Sequence, residues 1–244
     1  MGQLLQIFYA MRFFVACFFM SIVAGSIVVA RPFGLADWTY ARVNTLWGEI
    51  SLKILGIKLN IDGQHHIQEP AIFVLNHQSM VDLMIVTALL PDKTRYVAKK
   101  ELEKIPIFGW ALAPVGIMID RKRPRDAMNI ISAQLEKLDG WSVAIFPEGT
   151  RTRDGELRPF KKGAFYMALQ TKLPLIPVAF DGAFQSVSKG GFFPKPTRIY
   201  VNIGPPINTE NWVLEDLNKH VESARQALLD CFEKSRGQRI EDEA

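Results

Sequence analysis

The longest apolar segment of the chain lies near the N-terminus. Residues 13–30 form a run of eighteen residues without a charged side chain, bounded by Arg12 and Arg31. An apolar helix of this length nearly spans the ~30 Å of hydrocarbon in a bilayer, so the pattern predicts a membrane-embedded helix that crosses the bilayer or lies within one leaflet. A cleaved signal peptide is the alternative, but the residues ahead of the run are themselves apolar and no small-residue cleavage site follows it. We therefore expect the segment to be retained.

A second pattern, over residues 38–59, has the period of an amphipathic helix. Its apolar positions are Val43, Leu46, Trp47, Ile50, Ile54 and Leu55. Such a helix either covers the core of a globular domain or lies on a membrane surface. The aromatic residues Trp38, Tyr40 and Trp47 favour the membrane surface, because amphipathic rings prefer the depth of the headgroups. The sequence thus divides into N-terminal anchoring helices at 1–59 and a globular domain at 60–244.

Beyond residue 60 the pattern changes to short apolar runs separated by segments of helix length. The runs cover residues 71–76, 95–99, 115–120, 142–147, 175–180 and 198–204. The helical segments cover residues 80–90, 124–138 and 163–170, and a last helix at 215–234 precedes an acidic tail. The runs are nearly continuous in apolar residues, which is typical of strands buried on both faces. The sequence predicts an α/β fold with a mostly parallel central sheet flanked by helices, in which ligands bind at the carboxyl ends of the strands.

Composition and charge narrow the class of partner. A chain of 244 residues with 48% hydrophobic and 22% charged residues fits one globular domain rather than a coiled coil or a disordered chain. The net charge is +4, and residues 93–125 carry nine basic against three acidic side chains. This cluster predicts an anionic partner: a phosphorylated metabolite, a lipid headgroup or nucleic acid. The only two cysteines, Cys17 and Cys231, form no disulfide framework, which favours a reducing compartment.

Candidate chemistry begins directly after the first of these strands. A neutral imidazole at His77 can take a proton from an attacking hydroxyl if a carboxylate fixes its tautomer, and Asp82 is the nearest candidate. Residues five apart on one helix point about 140° apart, so His77 must lie in the loop and Asp82 in the first helical turn. Ser79 and Asp82 match a capping box that starts the helix at Met80. The alternative interpretation is that Asp82 is only a cap and His77 an ordinary loop histidine.

A second candidate site follows the strand at 142–147. Residues 146–151 read Phe-Pro-Glu-Gly-Thr-Arg. Gly149 permits close approach of the backbone to a ligand, Thr150 offers a hydroxyl, and Arg151 can hold a phosphate through two parallel hydrogen bonds. Glu148 either orients Arg151 or closes the turn. The alternative interpretation is a solvated turn with surface charges.

Two further segments carry weaker signals. Arg121 follows the strand at 115–120 and would add a second phosphate contact, although a run of basic residues is more often a solvated face. Residues 173–178 contain two prolines that fix how the chain enters a strand. They carry no reactive side chain, so they either line an apolar pocket or belong to the core.

Other chemistries lack their sequence signatures. We find no G-x-S-x-G, no P-loop and no G-x-G-x-x-G after a strand. A metal site needs a cluster of ligands, but His65 and His66 are adjacent in a predicted loop and His220 lies on the last helix, so we expect no metal. The basic residues lack the aromatic interleaving and the recognisable module of a nucleic-acid binder, so we expect no nucleic acid partner.

Taken together, these residues resemble the glycerolipid acyltransferase family, which includes 1-acyl-sn-glycerol-3-phosphate acyltransferases. His77 and Asp82 resemble the family's H-x4-D motif, and residues 116–121 resemble its second block. Residues 146–151 are similar to its F-P-E-G-T-R block, and residues 173–178 to its proline-containing fourth block. The four blocks occur in the family's order and with suitable spacing.

The resemblance implies a role for each candidate residue. His77 would be the general base for the acceptor hydroxyl, and Asp82 its orienting partner. The phosphate of the acceptor would be bound by Glu148, Gly149, Thr150, Arg151 and Arg121. The second block departs from the family at Met118, where an aromatic residue is frequent, and this leaves the shape of the pocket open.

The reaction implied is transfer of a fatty acyl group from an acyl thioester to the 2-hydroxyl of lysophosphatidic acid (1-acyl-sn-glycerol 3-phosphate). The product is phosphatidic acid, an intermediate of phospholipid biosynthesis. No side chain stands out as a covalent nucleophile, so we expect direct attack in a ternary complex. No cofactor is expected, and the donor is acyl-CoA or acyl carrier protein. Two alternatives stay open: a different acceptor, either glycerol 3-phosphate or another lysophospholipid, and a non-enzymatic protein that binds anionic membrane lipids.

The charges around the apolar run predict its orientation. Arg31, Arg42, Lys53 and Lys58 follow the run and outnumber the basic residues before it. The positive-inside rule therefore places the acyltransferase domain at 60–244 on the cytoplasmic side of the membrane, which is the inner membrane if the source is bacterial.

Overall fold

The computed structural model of the chain describes residues 3–105, 109, 112, 116–119, 140–187 and 193–244. The helix predicted at 124–138 and the predicted site residue Arg121 lie outside these residues. Within them, seven strands form one sheet. The strands are β1 (Ile57–Asp62), β2 (Ile72–Leu75), β3 (Thr94–Lys99), β4 (Ile117–Ile119), β5 (Ser142–Ile145), β6 (Leu175–Asp181) and β7 (Thr197–Ile203).

The sheet is mostly parallel, as the sequence predicted. Its strand order is β1-β7-β6-β2-β5-β3-β4, and the described neighbours are parallel except for β6 and β7. The six predicted runs coincide with β2 to β7. Because β5 pairs in parallel with both β2 and β3, these three strands end at the same edge of the sheet. The residues that follow each of them therefore lie close together.

Helices cover both faces of the sheet. The described helices are α1 (Gln3–Ala30), α2 (Ala36–Leu55), α3 (Asp82–Leu89), α4 (Gly163–Thr171), α5 (Ala183–Ser186) and α6 (Leu217–Glu243). Phe73 and Leu75 of β2 pack in the same cluster as α1, α2 and α3, whereas Ile72 and Val74 pack in a second cluster with α4 and α6. Alternate residues of one strand thus enter two cores, which explains why the run is continuously apolar.

The predicted helix at 38–59 ends earlier than expected. Gly56 adopts a left-handed conformation with φ 71°, and its N–H donates to the carbonyls of Leu52 and Lys53, which terminates α2 at Leu55. The chain then forms β1, which pairs with β7 and begins with its only fully buried residue, Ile57. The prediction missed this strand because an edge strand with one buried residue has no continuous apolar run. The domain boundary proposed between residues 59 and 60 falls inside it.

The amphipathic helix α2 covers the core. Tyr40 and Trp47, which the sequence analysis placed at headgroup depth, are only 4% and 5% exposed and belong to the core cluster, so that prediction was wrong for both. Tyr40 donates a hydrogen bond to the carbonyl of Thr94 on β3. Gly48 meets α3 so closely that an added Cβ would lie 2.5 Å from the backbone nitrogen of Ala88. The helix is therefore packed tightly between α1 and α3.

Helix α1 lies along α2 and leaves most of its apolar surface uncovered. It begins at Gln3, ten residues before the uncharged run, and its fully buried residues are Ala16, Ala24 and Ile27. The other side is apolar and exposed, including Phe14, Phe18 and Val29. By length and composition, this helix can cross a membrane. An uncovered apolar surface of this extent marks contact with lipid, so the protein is membrane-associated.

The last helix is longer than the sequence predicted. We expected it to end at residue 234, before an acidic tail, but α6 continues to Glu243. Arg239 lies 2.5 Å from the buried carboxylate of Asp181 on β6. Asp242 accepts hydrogen bonds from Arg198 and Tyr200 of β7. The charged residues of the supposed tail therefore dock the final turns onto the sheet.

Candidate active site

His77 and Asp82 form a close pair at the end of β2. Nδ1 of His77 lies 2.6 Å from Oδ2 of Asp82, whose side chain is fully buried. His77 stands in the loop, and Asp82 is the first residue of α3, as the five-residue spacing required. Since Nδ1 faces the carboxylate, Nε2 is left for a ligand. This is the arrangement in which a carboxylate fixes the tautomer of a general base.

The carboxylate of Asp82 also binds the loop that precedes α3. Its Oδ2 accepts hydrogen bonds from the backbone N–H groups of Gln78 (2.7 Å) and Ser79 (2.9 Å) in addition to His77. Ser79 Oγ accepts from the N–H of Val81 at 3.2 Å. The helix starts two residues later than the capping box predicted, and the side chain of its N-cap residue, Val81, makes no capping hydrogen bond. One carboxylate thus partners His77 and holds the preceding loop, and three donors fix its orientation.

The segment 146–152 holds His77 from the other side. The backbone N–H of His77 donates to Oε1 of Glu148 at 2.7 Å. The carbonyl of His77 accepts from the N–H of Thr152 at 2.8 Å. The imidazole stacks on the ring of Phe146 with 4.3 Å between centroids. Backbone and ring of His77 are therefore both fixed by the loop that carries the second candidate site.

Glu148 joins two loops rather than facing open space. It is 4% exposed, and its second oxygen accepts from the N–H of Arg158 at 3.1 Å. Burial raises the pKa of Glu148 to about 7, although the hydrogen bonds from His77 and Arg158 oppose this change. The sequence analysis placed Glu148 among the phosphate ligands. In the structure both of its oxygens accept from backbone N–H groups, so the geometry makes its contribution to ligand binding indirect.

A cavity of about 520 Å³ opens beside His77. Its polar lining includes His77, Gly149, Thr150, Arg151 and Lys99. Its apolar lining includes Met80, Leu83, Val97, Leu102, Leu112 and Phe146. The imidazole of His77, a cationic end and an apolar wall therefore share one space, which suits a ligand that carries both an anionic group and a hydrocarbon chain.

Comparisons with known proteins identify the family of the chain. Residues 58–181 match the family model for the acyltransferase domain, described as Acyltransferase. The chain belongs to the acyltransferase family. It is 34% identical over 229 residues to a 1-acyl-sn-glycerol-3-phosphate acyltransferase of Cocos nucifera, covering 90% of this chain and 74% of the relative. It is also 34% identical over 220 residues to 1-acyl-sn-glycerol-3-phosphate acyltransferase alpha of Mus musculus, covering 88% and 76% of the two chains.

A solved structure shares the fold of this acyltransferase. The crystal structure of the 1-acyl-sn-glycerophosphate acyltransferase PlsC from Thermotoga maritima superposes with a TM-score of 0.70 at 24% identity. The superposition covers 91% of this chain and 97% of that chain. The α/β fold with its mostly parallel sheet is thus the one expected.

The fourth block and the other histidines of the sequence analysis lie outside the cavity of the acyltransferase. Of residues 173–178, Leu175 to Val178 belong to β6, where each pairs with a residue of β2 and is buried. None of them lines the described cavity, so this block belongs to the core. His66 Nδ1 lies 2.8 Å from the carbonyl of Ile203, and His220 stacks on Trp212 with 4.3 Å between ring centroids, so both make structural contacts.

Lys99, a charged residue of the cavity lining, was not among the site residues selected from the sequence. Lys99 lines the cavity with Arg151, and its ammonium lies 3.4 Å from Glu101. The sequence analysis counted it only as part of a basic cluster. The available signal was its position as the last residue of β3, at the same edge of the sheet as His77.

Proposed function

We propose that this acyltransferase moves a fatty acyl group from an acyl thioester to the 2-hydroxyl of 1-acyl-sn-glycerol 3-phosphate and so forms phosphatidic acid. The observation that carries the proposal is one cavity lined by His77, which is held by Asp82, and by Gly149, Thr150 and Arg151. The relatives that bear the name of this activity support it.

The chemistry begins with the proton of the acceptor hydroxyl. Nδ1–H of His77 donates to Asp82, so the unprotonated Nε2 accepts the hydroxyl proton as the oxygen attacks the thioester carbonyl. The buried carboxylate of Asp82 stabilises the imidazolium that forms. When the tetrahedral intermediate collapses, the carbon–sulfur bond breaks and His77 returns the proton to the thiolate. The products are an ester and a free thiol, and the imidazole is neutral again.

The phosphate of the acceptor binds at the cationic end of the cavity. Arg151 offers two parallel hydrogen bonds to a phosphate, and Lys99 adds a second positive charge. The hydroxyl of Thr150 and the backbone at Gly149 contribute neutral contacts. Arg121, which lies outside the described residues, stays a proposed third cation on the strength of its place in the second block.

The apolar parts of the molecule fit lipid substrates. The apolar wall of the cavity receives hydrocarbon, and the exposed face of α1 keeps the enzyme at the bilayer, where its acceptor and product dissolve. The excess of basic residues after the apolar run supports a cytoplasmic position for the catalytic domain. Acyl-CoA and acyl carrier protein both present a thioester, and the proposal includes either as donor.

An assay with a panel of acceptors tests the proposal. The purified enzyme is given lysophosphatidic acid, glycerol 3-phosphate or lysophosphatidylcholine, each with acyl-CoA or with acyl carrier protein, and free thiol is measured. We expect turnover to be fastest with lysophosphatidic acid. Faster turnover with glycerol 3-phosphate or with lysophosphatidylcholine would show that the proposed acceptor is wrong. The absence of thiol release with every acceptor would overturn the proposed reaction.

A further inference from the structure

The side chain of Lys161 lies across Gly149 in the loop that follows β5. A Cβ added to Gly149 would lie 2.9 Å from Nζ of Lys161, 3.0 Å from its Cε and 3.1 Å from its Cδ. Gly149 also has a φ of 70°, in the left-handed region that favours glycine. The missing side chain of Gly149 therefore leaves the space through which the lysine reaches over the loop.

The backbone fixes this approach. The N–H of Lys161 donates to the carbonyl of Pro147 at 2.8 Å, so the chain folds back on the loop ten residues after leaving it. The backbone of Lys161 is therefore coupled to the loop that carries Thr150 and Arg151.

No acidic partner within the described part of the chain accounts for this placement. Among the residues that the structure describes, the ammonium of Lys161 has no hydrogen-bond or ion-pair partner. The carboxylate of the same loop, Glu148, is buried and accepts instead from the backbone N–H groups of His77 and Arg158. Lys161 is exposed, and its ammonium lies over the glycine of a loop that lines the cavity, with no neutralising carboxylate among the described residues; this is a suitable environment for binding an anion.

We propose that Lys161 is a further binding residue for the phosphate of the acceptor, which it contacts over Gly149 while Arg151 contacts it from the cavity. This inference rests on the proposed function, because it assumes that a phosphate occupies the loop 149–151. It adds to Arg151, which lies inside the signature block, a further cation ten residues beyond it.

The test removes the charge of Lys161 and keeps most of its stem. Lys161→Met is compared with Lys161→Arg and with Lys162→Met, which makes the same change at the adjacent exposed position. For each variant we measure the KM for lysophosphatidic acid, the KM for the acyl thioester, kcat and the thermal unfolding midpoint. Loss of one charged hydrogen bond typically weakens binding about tenfold or more.

We expect Lys161→Met to raise the KM for lysophosphatidic acid at least about tenfold, with kcat and the thioester KM within about twofold of the wild type. Lys161→Arg keeps the charge and should recover most of the affinity, and Lys162→Met should behave as the wild type. The preference for lysophosphatidic acid over 1-acylglycerol, which lacks the phosphate, should fall by the same factor in Lys161→Met. A residue that merely supports the loop would lower kcat or the unfolding midpoint and leave this preference unchanged.

Two results would overturn the inference: an unchanged acceptor KM in Lys161→Met, or an equal rise in Lys162→Met. Both leave the proposed function intact as long as the wild type acylates lysophosphatidic acid and Arg151→Ala raises the acceptor KM. If the wild type does not acylate lysophosphatidic acid, the proposed function is wrong, and the inference about Lys161 falls with it. Dissociation constants for lysophosphatidic acid, measured on His77→Ala with and without Lys161→Met, separate binding from turnover.

Discussion

Oε1 of Glu148 accepts a hydrogen bond from the backbone N–H of His77 at 2.7 Å, although 71 residues separate the two along the chain. The contact joins the loop that follows β5 to the loop that follows β2. The second oxygen of Glu148 accepts from the N–H of Arg158, so one buried side chain sets the position of His77 relative to the loop at 148–158. The glutamate of this block therefore holds these two loops together.

Replacing His77 with alanine removes the proposed general base. We expect kcat to fall by a factor of about 10²–10⁴, because general-base catalysis typically contributes that much. Folding should be preserved, since the imidazole is partly exposed and Asp82 keeps its two backbone donors. Steady-state rates and the thermal unfolding midpoint check this, with His65→Ala as a surface control. An unchanged kcat would remove His77 from the mechanism.

Asp82→Asn tests the orienting carboxylate. Oδ2 of Asp82 accepts three hydrogen bonds in a fully buried position, and an amide can replace only part of this set. We expect the free energy of unfolding to fall by about 1–3 kcal/mol and kcat to fall strongly. Because the two side chains act as one unit, His77→Ala in the Asp82→Asn background should cost little additional activity. Additive losses of kcat in the double variant would contradict that coupling.

The titration of Glu148 should appear in the pH dependence of stability. Burial raises its pKa from the ordinary 4.5 to about 7, so the folded protein binds this proton more tightly than the unfolded chain does. The contribution to stability is present below the unfolded pKa and is lost as the pH rises through about 7. Because a tenfold change in proton affinity corresponds to ~1.4 kcal/mol, the free energy of unfolding falls by at most about 3.5 kcal/mol over this range.

Urea denaturation of the wild type and Glu148→Gln between pH 4.5 and 8 measures this effect. The glutamine cannot ionise, so the stability of the wild type relative to this variant should decrease with increasing pH. Glu69→Gln makes the same change at an exposed position and serves as the control. A constant difference across this range would show that burial does not perturb Glu148.

Arg151→Ala should weaken the binding of the acceptor and leave the binding of the donor unchanged. Arg151 lines the cavity, whereas the exposed Arg153, two residues on, is absent from its lining. Since a charged contact to phosphate contributes about 1.5–3 kcal/mol, we expect the KM for lysophosphatidic acid to rise about tenfold or more. The thioester KM should stay constant, and Arg153→Ala should leave both values near those of the wild type. A rise confined to the thioester KM would move Arg151 to the donor site.

Gly48→Ala tests the contact between α2 and α3. An added Cβ would lie 2.5 Å from Oγ1 of Thr87 and from the backbone nitrogen of Ala88, and backbone cannot move aside as a side chain can. We expect a loss of about 1–3 kcal/mol in the free energy of unfolding. Gly237→Ala on α6 is the matched control, because nothing lies within 4 Å of its added Cβ. That change should be neutral or stabilising, since alanine favours helix over glycine.

The sequence predicted the strands that are buried on both faces and missed the one that is not. β2 and β5 are fully buried, and their continuous apolar runs identify them as strands from the sequence alone. β1 lies at the edge and buries only Ile57, so its residues read as the end of the preceding helix. The prediction also ended α6 too early. The final turns are held by the ion pair between Arg239 and Asp181, which joins residues 58 apart and has no local sequence signal.

The site was predictable where its contacts are local. The pair of His77 and Asp82 follows from a five-residue spacing and a capping signal, and the structure brings the two side chains together. Glu148 was harder to interpret, because its partners lie 71 and 10 residues away. Lys161 could not be connected with Gly149 from the sequence, because the contact depends on space left by an absent side chain.

Helix α1 packs on α2, and α2 packs on α3 through Gly48. Because α3 begins with Asp82, which contacts His77, this packing extends to the imidazole. Three packed helices, rather than a flexible tether, thus connect the lipid-facing surface to the imidazole. Because helix packing links α1 to α3, we expect the distance between His77 and the lipid-facing surface of α1 to be fixed.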